Sequence, residues 1–322
     1  METAPPAPPA IGPKVLIEPR SAALLQASVN EAPPGQALEL AAARYTLQDF
    51  LDAGDSTYNG LNLPETARGL VGAGEARTVI DMAARSSTRA STIPTSFPGT
   101  NQLSLLRIMR GSRIVAGFTL RGTDQGHLYN GLRISQTTDV DVRDVDVIGI
   151  PGSDSSPPGE TFGINDYRTS GSRYIRVHVD GRRLGAAGFG ANGSSRIEVV
   201  DSVFENNRYS HGATFYQVHG IEIAGTTVRR NGGVGLNFER VSGTVRISGS
   251  AFTDDRSGDI RIASDRGTAR YVISDPATGG RALHVVLPRT YAGAPNLQRR
   301  GDIRVLIDGV DRTADLVRFT TS

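Results

Sequence analysis

The sequence predicts an all-β chain wound as a single-stranded parallel β-helix, and three observations carry that expectation. A repeat of about two dozen residues recurs without an intervening helix. Within each repeat apolar and polar residues alternate, as they do in strands with one buried face. The composition favours tight turns over packed helices, with 38 glycines, 17 prolines, 6% aromatic residues and no tryptophan in 322 residues. That length is enough to bury a sizeable core.

Taken in chain order, residues 1–13, "METAPPAPPAIGP", form a proline-rich arm, expected to be extended and to act as a linker or a docking strap. Residues 14–68 hold a short helical run, a Pro-Gly turn and an apolar strand in "SAALLQASVNEAPPGQALEL". The repeat itself occupies 69–266. Its clearest copies are "RIEVVDSVFENN" from Arg196, "GIEIAGTTVRRN" from Gly220 and "TVRISGSAFTDD" from Thr244, which start 24 residues apart. They align Ile197, Val199 and Phe204 with Ile221, Ile223 and Val228 and with Val245, Ile247 and Phe252 as inward positions. "YIRVHVDG" from Tyr174 and "DVDVRDVDV" from Asp139 continue the register upstream, the loop "PGSDSSPPGE" absorbing a longer interval. A second strand follows each turn, beginning at Gly131, Gly163, Gly188, Gly212, Gly235 and Asp259. Asn206 with Asn207, Asn231, and Asp254 with Asp255 fall at matching turns, where such residues tolerate left-handed backbone angles and bond neighbouring amides. Residues 267–322 end in strand, Asp308-Gly309 turn and strand, read as a small C-terminal β module that caps the coil or joins chains.

Over roughly Gly69 to Asp265 these features resemble the pectate-lyase-like right-handed parallel β-helix superfamily, and the overall style is most similar to β-helical minor tail and receptor-binding proteins of actinobacterial phages. The resemblance implies a right-handed coil, an N-terminal capping helix within 14–68 and a first full coil at "GLVGAGEARTVIDM". It also implies a virion protein of the phage tail that recognises host cell-surface polysaccharide, contacts other tail proteins and forms a homotrimer. A polysaccharide lyase, glycoside hydrolase or epimerase of the same fold is the alternative, since fold alone does not decide function.

Several classes are set aside by composition. There is no cysteine for disulfides, thiolate metal sites or a thiol nucleophile. A net charge of +2 without a concentrated basic stripe argues against nucleic acid. No signal-peptide core or long apolar run is present, so neither export nor membrane insertion is expected. Thirty-four of the 35 basic residues are arginine, a bias that fits a high-GC genome.

Strand parity points Arg133, Asn165, Tyr167, Asn192, Thr214, Tyr216, Asn237 and Glu239 outward, and stacking would gather them into one exposed ladder. Amides, a carboxylate and aromatic rings suit the hydroxyls and flat C–H faces of sugars, although the same parity describes an ordinary solvated face. For catalysis the candidates are Asp166, Glu239 and His211. Asp166 has inward parity and lies three coils from Glu239, too far for a glycosidase pair at about 4.8 Å per coil. Asp154 or Glu160 are its other possible carboxylate partners, and His127 precedes a strand equivalent to the one after His211. The polygalacturonase branch combines Asn-x-Asp, paired Asp, Gly-His-Gly and Arg-x-Lys; here only "SHG" at Ser210 and "DD" at Asp254 are present, in the wrong order, and the roles are not carried over. Asp139, Asp141, Asp144 and Asp146 match no calcium-loop pattern and alternate with valines, which reads as a wet strand face; no metal or other cofactor is expected. "GAGEART" at Gly72 lacks the Lys-Ser or Lys-Thr of a phosphate loop and reads as a coil turn.

Overall fold

The computed structural model describes residues 12–17, 22–31, 33–46, 61–81, 104–111, 113–122, 130–150, 161–182 and 187–321. Nearly all of the proline-rich arm, His127, and the 151–160 loop with Asp154 and Glu160 lie outside the described residues. What is described is a right-handed parallel β-helix. Each full lap adds one strand to each of two long sheets. The first sheet runs from Lys14–Ile17 through Asp141–Ile148, Arg173–Asp180, Ser195–Val200, His219–Ala224 and Ser242–Ser248 to Ile303–Ile307. Beyond a corner it carries a limb of short strands, among them Val203–Glu205, Thr227–Arg229 and Ala251–Thr253. The second sheet stacks ten strands from Leu61–Leu63 to Val317–Thr320.

The register is the one the repeat requires. Ile197 pairs with Ile221 and Ile221 with Val245; Val199, Ile223 and Ile247 form the next column; Phe204, Val228 and Phe252 form a third. All nine are buried. Upstream, Val142 pairs with Tyr174 and Tyr174 with Val199, so the longer interval changes the loop and leaves the rungs aligned. Because parallel rungs repeat identical positions, like side chains meet inside the coil. Phe189, Phe215, Phe238 and Tyr271 form an internal stack with successive ring centroids 5.6, 5.2 and 5.4 Å apart. Tyr174 meets Phe189 edge-on at 4.8 Å.

Two corners hold the laps in step. At the first, Ser202, Thr226 and Ser250 are buried and donate their hydroxyls to the carbonyls of Val200, Ala224 and Ser248. The residue before each is left-handed, with φ of 48°, 58° and 53° at Asp201, Gly225 and Gly249. At the second corner Asn206, Arg230 and Asp254 take the left-handed angle and the following residues make a ladder. Asn207 donates through Nδ2 to Asn231 Oδ1 at 2.7 Å, and Asn231 donates through Nδ2 to Asp255 Oδ1 at 2.9 Å. The backbone amides of Asn207 and Asn231 donate to the same two oxygens. Left-handed angles at the Asn206, Arg230 and Asp254 turns thus aim the next side chain along the stack.

The ends close the coil in different ways. Helix Ala22–Asn30 buries Leu25 and Val29 in the core, and its Gln26 side chain exchanges two hydrogen bonds with the Asn62 backbone. Residues 267–322 continue both sheets. Ala269–Ser274 and Ile303–Ile307 extend the first, Leu283–Val286 and Val317–Thr320 the second, and two antiparallel hairpins are appended at Thr290–Pro295 and Ile303–Asp311. Among the described residues no helix is long and apolar enough to cross a membrane.

Phe215→Ala is expected to lower stability by about 3–5 kcal/mol, read by urea unfolding, because rings above and below limit collapse of the cavity. The last ladder position gives a pH signature. Asp255 Oδ2 is buried without a partner, and burial, together with Asp259, pushes the carboxyl up to about 7. The folded state therefore holds the proton more tightly, and stability falls as pH rises from about 4 through about 7. Asp255→Asn, which gives this position the amide that Asn207 and Asn231 carry in the two laps before it, is expected to be about 1–2 kcal/mol more stable than wild type at pH 8. That gain shrinks towards pH 4 in calorimetry.

Candidate functional site

The outer surface of the second sheet carries two register-locked columns. In one, Tyr167 pairs with Asn192, Asn192 with Tyr216, and Tyr216 with Glu239. In the other, Arg133, Asn165, Gly190, Thr214 and Asn237 follow one another, extended by Arg107 before and Arg261 after. Leu132, Ile164, Phe189, Phe215 and Phe238 lie on the opposite face, in the core, which is why the columns point out. Gly190 leaves room for a ring from a neighbouring rung: a Cβ there would sit 2.3 Å from Phe162.

Outward direction and exposure differ along these columns. Asn192 is exposed and Tyr167, Tyr216 and Glu239 are half-buried, whereas Arg133, Asn165 and Asn237 are 5%, 7% and 2% exposed. The expectation of one exposed ladder is corrected for these three. Their neighbours explain it: Asn165 donates to Asn130 at 3.1 Å, and Arg133 donates to Ser135 Oγ at 3.1 Å with its guanidinium 5.4 Å from the Tyr167 ring. Burial, reinforced by Arg107, pulls the Arg133 guanidinium down to about 10. Arg168 covers Tyr167 at 5.0 Å.

The polar groups converge most densely at Glu239. Its Oε1 accepts from Arg261 at 2.7 Å and from Asn237 at 3.2 Å, and its Oε2 accepts from the Tyr291 hydroxyl at 2.8 Å. Burial alone would raise this carboxyl, but the bonds from Tyr291 and Asn237 and the charge of Arg261 hold it below the ordinary glutamate value. Beside it Arg240 forks onto Asp265 at 2.6 and 2.7 Å and donates to Tyr216 Oη at 2.7 Å. The Asp265 carboxyl is held down by that fork. Tyr216 and Tyr291 rings lie 5.7 and 5.3 Å from the Arg240 guanidinium.

His211 faces the same cluster. Burial, and then Arg261, brings its imidazole down to about 4, so it is neutral near pH 7. Its Nδ1 accepts the Val234 amide at 3.0 Å, which leaves the proton on Nε2 and makes the neutral ring a donor towards its surroundings. Asp166 is elsewhere. It is fully buried inside the coil, accepting hydroxyls from Thr169, Ser194 and Tyr174, while burial pushes its carboxyl up. This inward placement removes Asp166 from the catalytic candidates, since no outer-face ligand reaches it. Three of the four aspartates in 139–146 are likewise engaged: Asp141 with Arg143 and Arg173, Asp144 with Arg176, and Asp146 with His178. Arg261 could have been found by carrying the outward parity one rung further. Tyr291, 52 residues beyond Glu239, has no such signal.

Among solved structures, the chain is similar to polygalacturonase from Erwinia carotovora ssp. carotovora, with a TM-score of 0.55 and 12% identity over 100% of this chain and 96% of that one. Full-length tailspike protein 2 from Escherichia coli O157:H7 bacteriophage CAB120 gives 0.46 and 11%, over 90% of this chain and 44% of that one. A periplasmic alginate epimerase gives 0.43 and 13%, over 95% and 83%. At such identities the first likeness shows the fold alone. No family model matches the chain, and no curated protein matches it.

His211 yields an acid signature. Its proton is held less tightly folded than unfolded, so the stability it contributes is complete above about pH 6.5 and is lost as pH falls towards 4. His211→Gln is expected to flatten the unfolding free energy over that window by about 1–3 kcal/mol in urea titrations at successive pH values.

Proposed function

We propose that the chain is a structural β-helix of a bacteriophage tail, at the minor-tail or tail-tip level, that recognises host-surface polysaccharide through the outer face of its second sheet. The observation that carries the recognition reading is the register-locked column Tyr167, Asn192, Tyr216 and Glu239, flanked by Asn237 and Arg261. Rings, amides and charged hydrogen-bonding groups repeat there rung by rung, at about the strand spacing of 4.8 Å. An extended glycan meets such a surface over several sugar units. The phage context rests on the resemblance of the sequence to β-helical tail proteins, which also supports a homotrimer bound to other tail proteins. A cleft of ≈ 520 Å³ at the C-terminal end, between Pro276, Arg281, Leu283, Ile307 and Leu316, offers surface for that assembly.

The electrostatics of the face favour binding over turnover. A glycosidase needs one carboxyl kept protonated by its surroundings. Glu239 is held ionised by Tyr291, Asn237 and Arg261, Asp265 is held ionised by Arg240, and neutral His211 has its acceptor nitrogen occupied. Recognition uses these groups in the ionisation states they already hold, as acceptors and donors.

The test is calorimetric titration with polysaccharide purified from actinobacterial cell envelopes, alongside assays for reducing and unsaturated sugar ends. Wild type is expected to bind without releasing ends, and Tyr216→Ala to weaken binding by about 1.4–2.8 kcal/mol, roughly ten- to a hundredfold. Release of ends by wild type would replace recognition with depolymerisation.

A further inference from the structure

Tyr291 stands at the edge of a two-residue hairpin loop. Ala292 and Gly293 both have positive φ, and the paired residues are only Thr290 with Pro295 and Tyr291 with Ala294. This ribbon joins neither long sheet. Its base is fixed to the coil: Asn296 bonds the backbone of Ser264, Ile262 and Pro288, and the Leu297 amide donates to Ser264. Its tip reaches the outer face through Tyr291, whose hydroxyl donates to Glu239 Oε2 and whose ring lies 5.3 Å from Arg240 and 5.9 Å from Arg261. A two-stranded ribbon of this length has little stability of its own. The tyrosine contact is thus a principal tie of the tip.

The groups around Tyr291 have other partners. Glu239 keeps Arg261 and Asn237 on its other oxygen, and Arg240 keeps Asp265 and Tyr216. Lifting the tyrosine would uncover one carboxylate oxygen ready to accept a hydroxyl, with a flat slot beside two guanidinium groups. Those are the complements of a sugar ring, which offers donating hydroxyls and a flat C–H face. The uncovered acceptor is a carboxylate, so a neutral unit donating a hydroxyl fits it better than one bringing its own negative charge.

We propose that Tyr291 is the built-in occupant of a subsite for one neutral sugar unit, its hydroxyl standing where a glycan hydroxyl binds Glu239, so that the hairpin acts as a latch which the ligand displaces. This rests on the reading of the face as a polysaccharide surface. The conservative probe is Tyr291→Phe, which keeps the ring and deletes the competing hydroxyl.

Two measurements on the full chain decide it. Hydrogen exchange of amides in 290–295 is expected to speed up at least threefold in Tyr291→Phe, with strands Leu236–Glu239 and Ile260–Ala263 unchanged. Calorimetry with cello-, manno- and xylohexaose, and with hexagalacturonate as the acidic comparison, is expected to show a neutral hexasaccharide bound three- to tenfold more tightly by Tyr291→Phe than by wild type. Adding Glu239→Gln should abolish that gain. Unchanged exchange in 290–295 overturns the latch. Wild-type binding that Tyr291→Phe leaves unchanged or weakens overturns the subsite alone, and a gain confined to hexagalacturonate overturns its neutral character. Absence of binding by both proteins, to these hexasaccharides and to envelope polysaccharide alike, overturns the binding reading and the subsite with it.

Discussion

Parallel register is the constraint on which the rest of this molecule depends. Each lap, whatever its length, must bring the chain back in step, so that a position in one rung lies directly over its equivalent in the next. Backbone bonds enforce that spacing, but they do not select which residues align. Selection comes from the inward columns, such as Ile197, Ile221 and Val245, and from the corners. Slipping a strand by one residue would turn its apolar set outward and its polar set inward. The aromatic stack from Phe189 to Tyr271 and the Asn207, Asn231, Asp255 ladder make that slip costly at two places in the same lap.

The outer columns are a by-product of the same alignment. Once the interior is fixed, side chains of opposite parity have no choice but to stack, and their chemistry is multiplied along the coil. At most positions this yields ordinary ion pairs, such as Asp144 with Arg176. On the second sheet it yields tyrosines, amides and a half-buried glutamate in adjoining columns. Charge there is compensated locally: Glu239 by Arg261, Arg240 by Asp265. Compensation of this kind keeps the groups in one ionisation state and one orientation, which suits recognition and gives little scope for proton transfer.

The parts of this architecture that were legible in the sequence are those that depend on local periodicity. The 24-residue spacing, the inward columns, the pairing of the glycine-led second strands and the turn asparagines all follow from pattern, and the pairings bear them out. Parity also placed Asp166 inside, although nothing in the sequence announced that Thr169, Ser194 and Tyr174 would surround it. Exposure was less legible than direction. Whether an outward residue such as Asn237 meets solvent depends on Glu239, Arg261 and a hairpin distant in sequence. Nor could composition tell that residues 267–322 would continue both sheets, because their strands are interrupted by hairpins that break the period.

The claim that the second sheet's outer face is the polysaccharide surface is tested most directly by a crystal structure of the full chain with a bound envelope oligosaccharide. Sugar density running across rungs, in contact with Tyr167, Asn192, Tyr216 and Glu239, is the expected result. An oligosaccharide seated instead on the first sheet or at the C-terminal cleft, with these four side chains untouched, would contradict it.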